Sequence, residues 1–182
     1  MRIGTRGSAL ALAQTNTVAS SLAAKTGATP EIVTISTEGD RSAESLATLG
    51  GTGVFASALR DALLAGEVDV VVHSLKDLPT APHPGLTVAA IPKRADARDA
   101  LCARDGLKLA DLPRGARVGT GSPRRRAQLL AVRPDLDVVD IRGNVDTRLA
   151  RVTSDLDAVV LARAGLARLD RLDAMTRRSV RT

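Results

Sequence analysis

The segment His73-Ser74-Leu75-Lys76-Asp77-Leu78-Pro79 sets an ammonium beside a carboxylate, directly after the apolar run Val68-Asp69-Val70-Val71-Val72. Adjacent opposite charges can shift each other's pKa, hold an anionic ligand and move a proton. The valine-rich run reads as a buried strand, and the abrupt change to His, Ser, Lys and Asp marks where that strand leaves the core. In open α/β sheets such strand ends are where sites are built. Taken alone, the same residues also describe a solvated loop that stops a strand.

Further strand ends deliver arginine beside glycine or serine. Thr120-Gly121-Ser122-Pro123-Arg124-Arg125-Arg126 is a predicted strand-to-helix junction. Gly121 permits close backbone approach, Ser122 can cap, and Pro123 suits the first helical position, where free amides attract anions. Arginines at the positive end of a helix dipole are locally unfavourable, so binding of carboxylates or phosphates accounts for them better than helix stability does. Arg126 is also compatible with simple solvation. Arg142-Gly143-Asn144-Val145-Asp146-Thr147-Arg148 is a second junction, with Arg142 at the strand end and Arg148 about two turns further on, a spacing that could set both guanidiniums over one pocket. Thr5-Arg6-Gly7-Ser8 repeats the pattern. Guanidinium forks bind carboxylates through paired hydrogen bonds, so the whole pattern predicts a ligand carrying several carboxylates.

These residues need strands that end together and helices that start there. Arg2 to Thr5 reads as a strand, Ser8 as the cap of a helix running to about Lys25, and Glu31 to Ser36 as a second strand. A helix is expected from Val54 to Ala65 and, beyond Pro79, Pro82 and Pro84, a strand over Leu86 to Ile91. Pro92 to Asp96 is the best linker candidate. Downstream, strands near Val118, Val138 and Ala158 to Leu161 precede helices from about Ser122 to Val132, Val145 to Val152 and Ala164 to Leu169. Strand and helix alternate twice over, without sequence repeats, and two α/β units flanking a cleft satisfy this most economically.

Composition narrows the possibilities. The 182 residues suffice for one domain or two small ones, and 44% hydrophobic with 25% charged residues is ordinary for a globular chain. With one Phe and no Tyr or Trp, stacking platforms for single-stranded nucleic acid are disfavoured. The net charge of +6 is carried almost entirely by arginine and allows an anionic partner. The dispersal of arginine over separate strand ends favours a small polycarboxylate over nucleic acid. The lone Cys102 suits a reducing cytoplasm and reads as an ordinary buried thiol, and no signal peptide or membrane span is evident. His73 and His83 are not spaced as metal ligands, so no metal site is expected. Gly50-Gly51-Thr52-Gly53 lacks the ending of a P-loop and reads as a hinge or flap.

From Arg2 to about Leu172 the ordered motifs Thr5-Arg6-Gly7-Ser8-Ala9-Leu10-Ala11, Gly39-Asp40, Val72-His73-Ser74-Leu75-Lys76-Asp77-Leu78-Pro79, Gly119-Thr120-Gly121-Ser122-Pro123-Arg124-Arg125 and Arg142-Gly143-Asn144-Val145-Asp146-Thr147-Arg148 resemble those of the porphobilinogen deaminases, also called hydroxymethylbilane synthases. That resemblance implies a cytoplasmic transferase of heme biosynthesis that links four porphobilinogens into hydroxymethylbilane with release of ammonia. It implies Asp77 as the catalytic carboxylate. Lys76, Ser122, Arg124 and Arg125 would hold the acidic side chains of a dipyrromethane cofactor, and Arg6, Ser8, Arg142 and Arg148 the incoming pyrrole. Phe55 would follow a mobile loop and Asp40 would brace the arginines. The implied fold has two periplasmic-binding-protein-like α/β domains, here 1–92 and 97–182, around a cleft, with a third domain.

The sequence also departs from that family. Thr48 and Thr52 stand where basic loop residues are common, the tail from about Met175 does not match, and the segment returning to the first domain and the third domain with its attachment cysteine are not present. Cys102 lies in the second domain and is not expected to replace that cysteine. The expectation is a truncated chain, inactive alone and prone to associate where the family is usually monomeric. Its partners would be porphobilinogen and oligopyrrole polycarboxylates, with no nucleic acid and no membrane. A noncatalytic two-domain module for small anions explains the architecture equally well, but it does not require Lys76-Asp77 at a strand end.

Overall fold

The computed structural model describes residues 1–37 and 56–174. The glycine-rich loop, Phe55, Asp40, Thr48, Thr52 and the tail from Met175 lie outside the described residues. Contacts divide the chain into two compact units, one ending at Lys93 and the next starting at Arg94.

In the first unit, β1 (Arg2–Thr5) lies between β2 (Glu31–Thr34) and β3 (Val70–Val71), all parallel. The predicted strand Val68–Val72 is therefore shorter in its regular part, although Asp69 and Val72 still donate backbone hydrogen bonds to the Arg2 and Gly4 carbonyls. Helix α1 (Ala9–Thr26) begins where the Ser8 hydroxyl accepts from the Ala11 amide at 3.3 Å and ends at Gly27, whose φ of 72° is the left-handed conformation glycine adopts most easily. The helix is fixed to the sheet by a buried pair of hydroxyls, Thr15 and Thr5, hydrogen-bonded at 2.7 Å. Helix α2 (Ser57–Leu64) buries Leu59 and Ala62.

The expected strand Leu86–Ile91 does not form. These residues carry no strand pairing, and Val88 and Ile91 are 57% and 68% exposed. Alternation and β-branching mark residues that suit a sheet, but a strand exists only against a partner. Among the described residues none pairs with them, and β3 also leaves its outer edge open.

In the second unit the sheet order is β4 (Asp99–Ala103), β7 (Ala158–Ala162), β5 (Arg117–Gly119), β6 (Asp137–Val139), with β4 antiparallel to β7 and the others parallel. Both faces are covered. Leu101, Val118, Val138 and Val160 pack with Leu129 on one side, while Ala100, Cys102, Val159 and Leu161 pack with Ile141, Leu156 and Leu166 on the other. Strands buried on both faces read as continuous apolar runs, which is the pattern of β4 and β7. The helices are α3 (Pro123–Val132), α4 (Val145–Ala150) and α5 (Arg163–Arg168). α4 is shorter than expected because its last turn, Arg151–Thr153, tightens to a 3-10 geometry.

Candidate functional site

The first unit gathers three of the expected site residues. Where β3 ends, the chain turns through a 3-10 segment, Leu75–Asp77, closed by the Asp77 amide donating to the Ser74 carbonyl at 2.9 Å. This turn brings Asp77 to a small cleft of about 40 Å³ that Arg6, Ser8, Gln14, His73 and Ser74 also line. Asp77 is half-buried, whereas Lys76 is exposed and does not line the cleft. Ser8 lies at the cleft but also caps α1. Gln14, His73 and Ser74 had no role in the motif reading. The Ser74 hydroxyl donates to Gln14 Oε1 at 2.8 Å, which ties the turn to α1. His73 has a buried Nε2 without a hydrogen-bond partner. Burial lowers its pKa, Asp77 opposes that shift, and the nearby positive charges of Arg6 and Arg60 reinforce it.

The second unit collects the arginines. Ser122 caps α3, accepting from the Arg125 amide at 3.4 Å, so its hydroxyl has a structural duty at the candidate anion site. Gly121 explains how the two arginine junctions meet: a Cβ there would lie 2.7 Å from the Ile141 carbonyl oxygen, so the Thr120–Ser122 turn rests directly on the chain leading into Arg142. Arg148 is held by its Nε donating to the Gly143 carbonyl at 2.8 Å. Burial lowers the pKa of Arg148, the guanidiniums of Arg125 and Arg142 push it the same way, and Asp140 opposes them. Like charges have thus been brought close together. Arg125 Nε and Arg142 Nη1 are buried without hydrogen-bond partners. Buried unpartnered donors are costly, and an acceptor from a ligand relieves that cost.

The members of the arginine run have different duties. Arg126 Nη1 donates to the Val138 carbonyl and ties α3 to β6. Arg124 and Arg125 both contact Asp99, at 3.2 Å and 2.6 Å, and the Asp99 side chain is only 6% exposed. Asp99 escaped the sequence reading. Its signal is an acidic residue opening an apolar strand with no neighbouring acid-binding motif, and its partners lie 25 and 26 residues further along. Cys102 is buried, and burial pushes its thiol up to about 12, which disfavours the reactive thiolate. Among the described residues no cluster of His, Cys, Asp or Glu could hold a metal ion, and no helix is long and apolar enough to cross a membrane.

The second unit thus presents crowded guanidiniums with orphaned donors beside a capped helix start. The family described as "Porphobilinogen deaminase, dipyromethane cofactor binding domain" matches residues 1–181. Porphobilinogen deaminases of Leifsonia xyli subsp. xyli and Thermobifida fusca are 70% identical over 177 residues and 64% identical over 176, covering 97% and 96% of this chain but 54% and 55% of their own lengths. A relative from Micrococcus luteus is 63% identical over 186 residues, covering 93% of this chain and 49% of its own. The chain thus spans about half the length of the curated relatives it matches. An ABC transporter periplasmic substrate-binding protein from Coxiella burnetii shares the fold, with a TM-score of 0.54 at 17% identity over 100% of this chain and 79% of its own. This supports the expected periplasmic-binding-like α/β class and says nothing of chemistry. A noncatalytic anion module is not favoured, because the relatives that match nearly all of this chain are named as deaminases. The match over residues 1–181 shows that the chain belongs to the porphobilinogen deaminase family.

Proposed function

We propose that this chain forms the cofactor- and substrate-binding part of a hydroxymethylbilane synthase, an enzyme that joins porphobilinogens with loss of ammonia. The observation that carries this reading is the crowding of Arg125, Arg142 and Arg148, with buried donors on Arg125 and Arg142 that find no acceptor. Lys76, Ser122, Arg124 and Arg125 would hold the acetate and propionate groups of a dipyrromethane. When bound, that group supplies the pyrrole carbon to which new units are joined. Arg6, Ser8, Arg142 and Arg148 would receive the carboxylates of the incoming porphobilinogen.

Asp77 stabilises the positive charge that develops on porphobilinogen as its aminomethyl nitrogen departs, and accepts the proton that leaves as aromaticity returns. His73 lines the same cleft, where burial disfavours its charged form. The buried thiol and the dispersed arginines suit a cytoplasmic enzyme acting on small anions and not on nucleic acid.

Calorimetric titration with a dipyrromethane bearing acetate and propionate side chains tests the reading. Binding is expected, weakening as salt rises because charge-assisted contacts carry it. Arg125→Gln is expected to weaken it about tenfold or more, the usual effect of losing a hydrogen bond between charged groups. Unchanged affinity in that variant, or no binding by the unmodified chain, would count against the assignment.

A further inference from the structure

We propose that Asp99 is a positioning residue for Arg125, and through it for the cofactor's carboxylates; this rests on the reading of Arg125 as an anion-binding residue. Asp99 opens β4, a strand paired along its whole length with β7 and joined to it again where the Arg163 amide donates to the Arg98 carbonyl. Its carboxylate is therefore delivered by rigid backbone. Oδ1 accepts from Arg125 Nη2 at 2.6 Å and Oδ2 from Arg124 Nη2 at 3.2 Å.

The two arginines respond differently to this shared carboxylate. Arg125 is 14% exposed and is also fixed by Nη1 donating to the Val160 carbonyl at 3.2 Å. Arg124 is 58% exposed, and its other recorded partner is Gln128, one turn along α3, at 2.9 Å. Asp99 with the Val160 carbonyl therefore immobilises the inner guanidinium from two sides, while the outer one remains adaptable. A free arginine loses rotamer freedom whenever it grips a ligand; one already locked by a buried carboxylate has lost it on folding, so binding costs less.

The lock also explains which atoms remain for a ligand. With one donor on each terminal nitrogen committed to protein, Arg125 Nε stays buried without a partner. Asp99 further offsets one of the positive charges gathered at the start of α3, where the helix dipole disfavours cations. It lowers the local charge without occupying the orphaned donor. The Asp99 carboxylate is thus the acidic group that holds Arg125 by a hydrogen bond.

A double-mutant cycle on the full chain tests this, with the acetate- and propionate-bearing dipyrromethane as probe. Affinity is read by calorimetry and stability by denaturant unfolding. Asp99→Asn is expected to weaken binding about tenfold or more, as removal of one partner of a buried charge pair does. Arg125→Gln is expected to weaken it as well, and the double variant should bind no worse than Arg125→Gln alone. The Arg125 Nε–H resonance, sharp when the side chain is fixed, should broaden or vanish in Asp99→Asn. If Arg125→Gln binds like the unmodified chain, the anion-binding reading itself fails. If Arg125→Gln weakens binding but Asp99→Asn does not, or the two losses multiply, Asp99 is not acting through Arg125 and the inference is overturned. Should Asp99→Asn fail to fold, Asp99→Glu keeps the buried charge and shifts its reach by one methylene. The same loss, absorbed by Arg125→Gln, is then expected, and unchanged affinity would refute positioning.

Discussion

Asp77→Asn is expected to lower the rate of hydroxymethylbilane formation at least about a hundredfold, the usual scale for removing a general acid–base group. The measurement calls for a hybrid in which residues 1–174 replace the corresponding half of the Leifsonia xyli relative, 70% identical over 177 residues. The substitution preserves size but removes the charge and turns one acceptor oxygen into a donor nitrogen. Asp77 contacts the cleft shared with Arg6, Ser8, His73 and Ser74, and its backbone amide already satisfies the turn. The fold therefore has little reason to change. Affinity for the dipyrromethane should stay within about threefold, since the guanidiniums that grip carboxylates are untouched. A variant that keeps most of its turnover, or one that loses binding in step with turnover, would show that Asp77 is not the acid–base group.

The second large effect is expected from Gly121→Ala, at a cost of about 1–3 kcal/mol of stability, the range for forcing extra atoms into a packed site. The new methyl would meet the Ile141 carbonyl oxygen at 2.7 Å. That atom belongs to backbone, which cannot rotate aside as a side chain can. Relief requires the Thr120–Ser122 turn to lift away from Ile141, carrying the start of α3 with it. The arginines on α3 would then move relative to Arg142, so dipyrromethane affinity should fall together with stability. Denaturant unfolding and calorimetry on the same preparation check both. Equal unfolding midpoints with equal affinity would mean that the contact is easily relaxed.

Much of the site was legible because its residues follow local rules. Ser8, Ser122 and Pro123 announce helix starts through capping chemistry within a few residues, and Val70 to Asp77 announces a strand end through a change of polarity. Asp99 obeys no local rule, since its partners are reached only when β4 and α3 pack together. Arg126 looked like its neighbours in sequence, yet a difference in helical phase turns it toward the Val138 carbonyl. Leu86 to Ile91 has the composition of a strand and fails for want of a neighbouring edge, a property of the assembled sheet that local patterning does not contain.

That unpaired stretch gives the molecule a natural cutting point. From Thr87 to Ala95 every residue is exposed and without regular structure, and Lys93 and Arg94 sit within it. Trypsin needs an extended, accessible backbone beside a basic residue, and here it finds one between two units that each have their own core. Brief digestion should release two fragments of nearly equal mass, each retaining its sheet. The unit that carries Asp77 and the unit that carries Arg148 could then be purified apart and titrated separately.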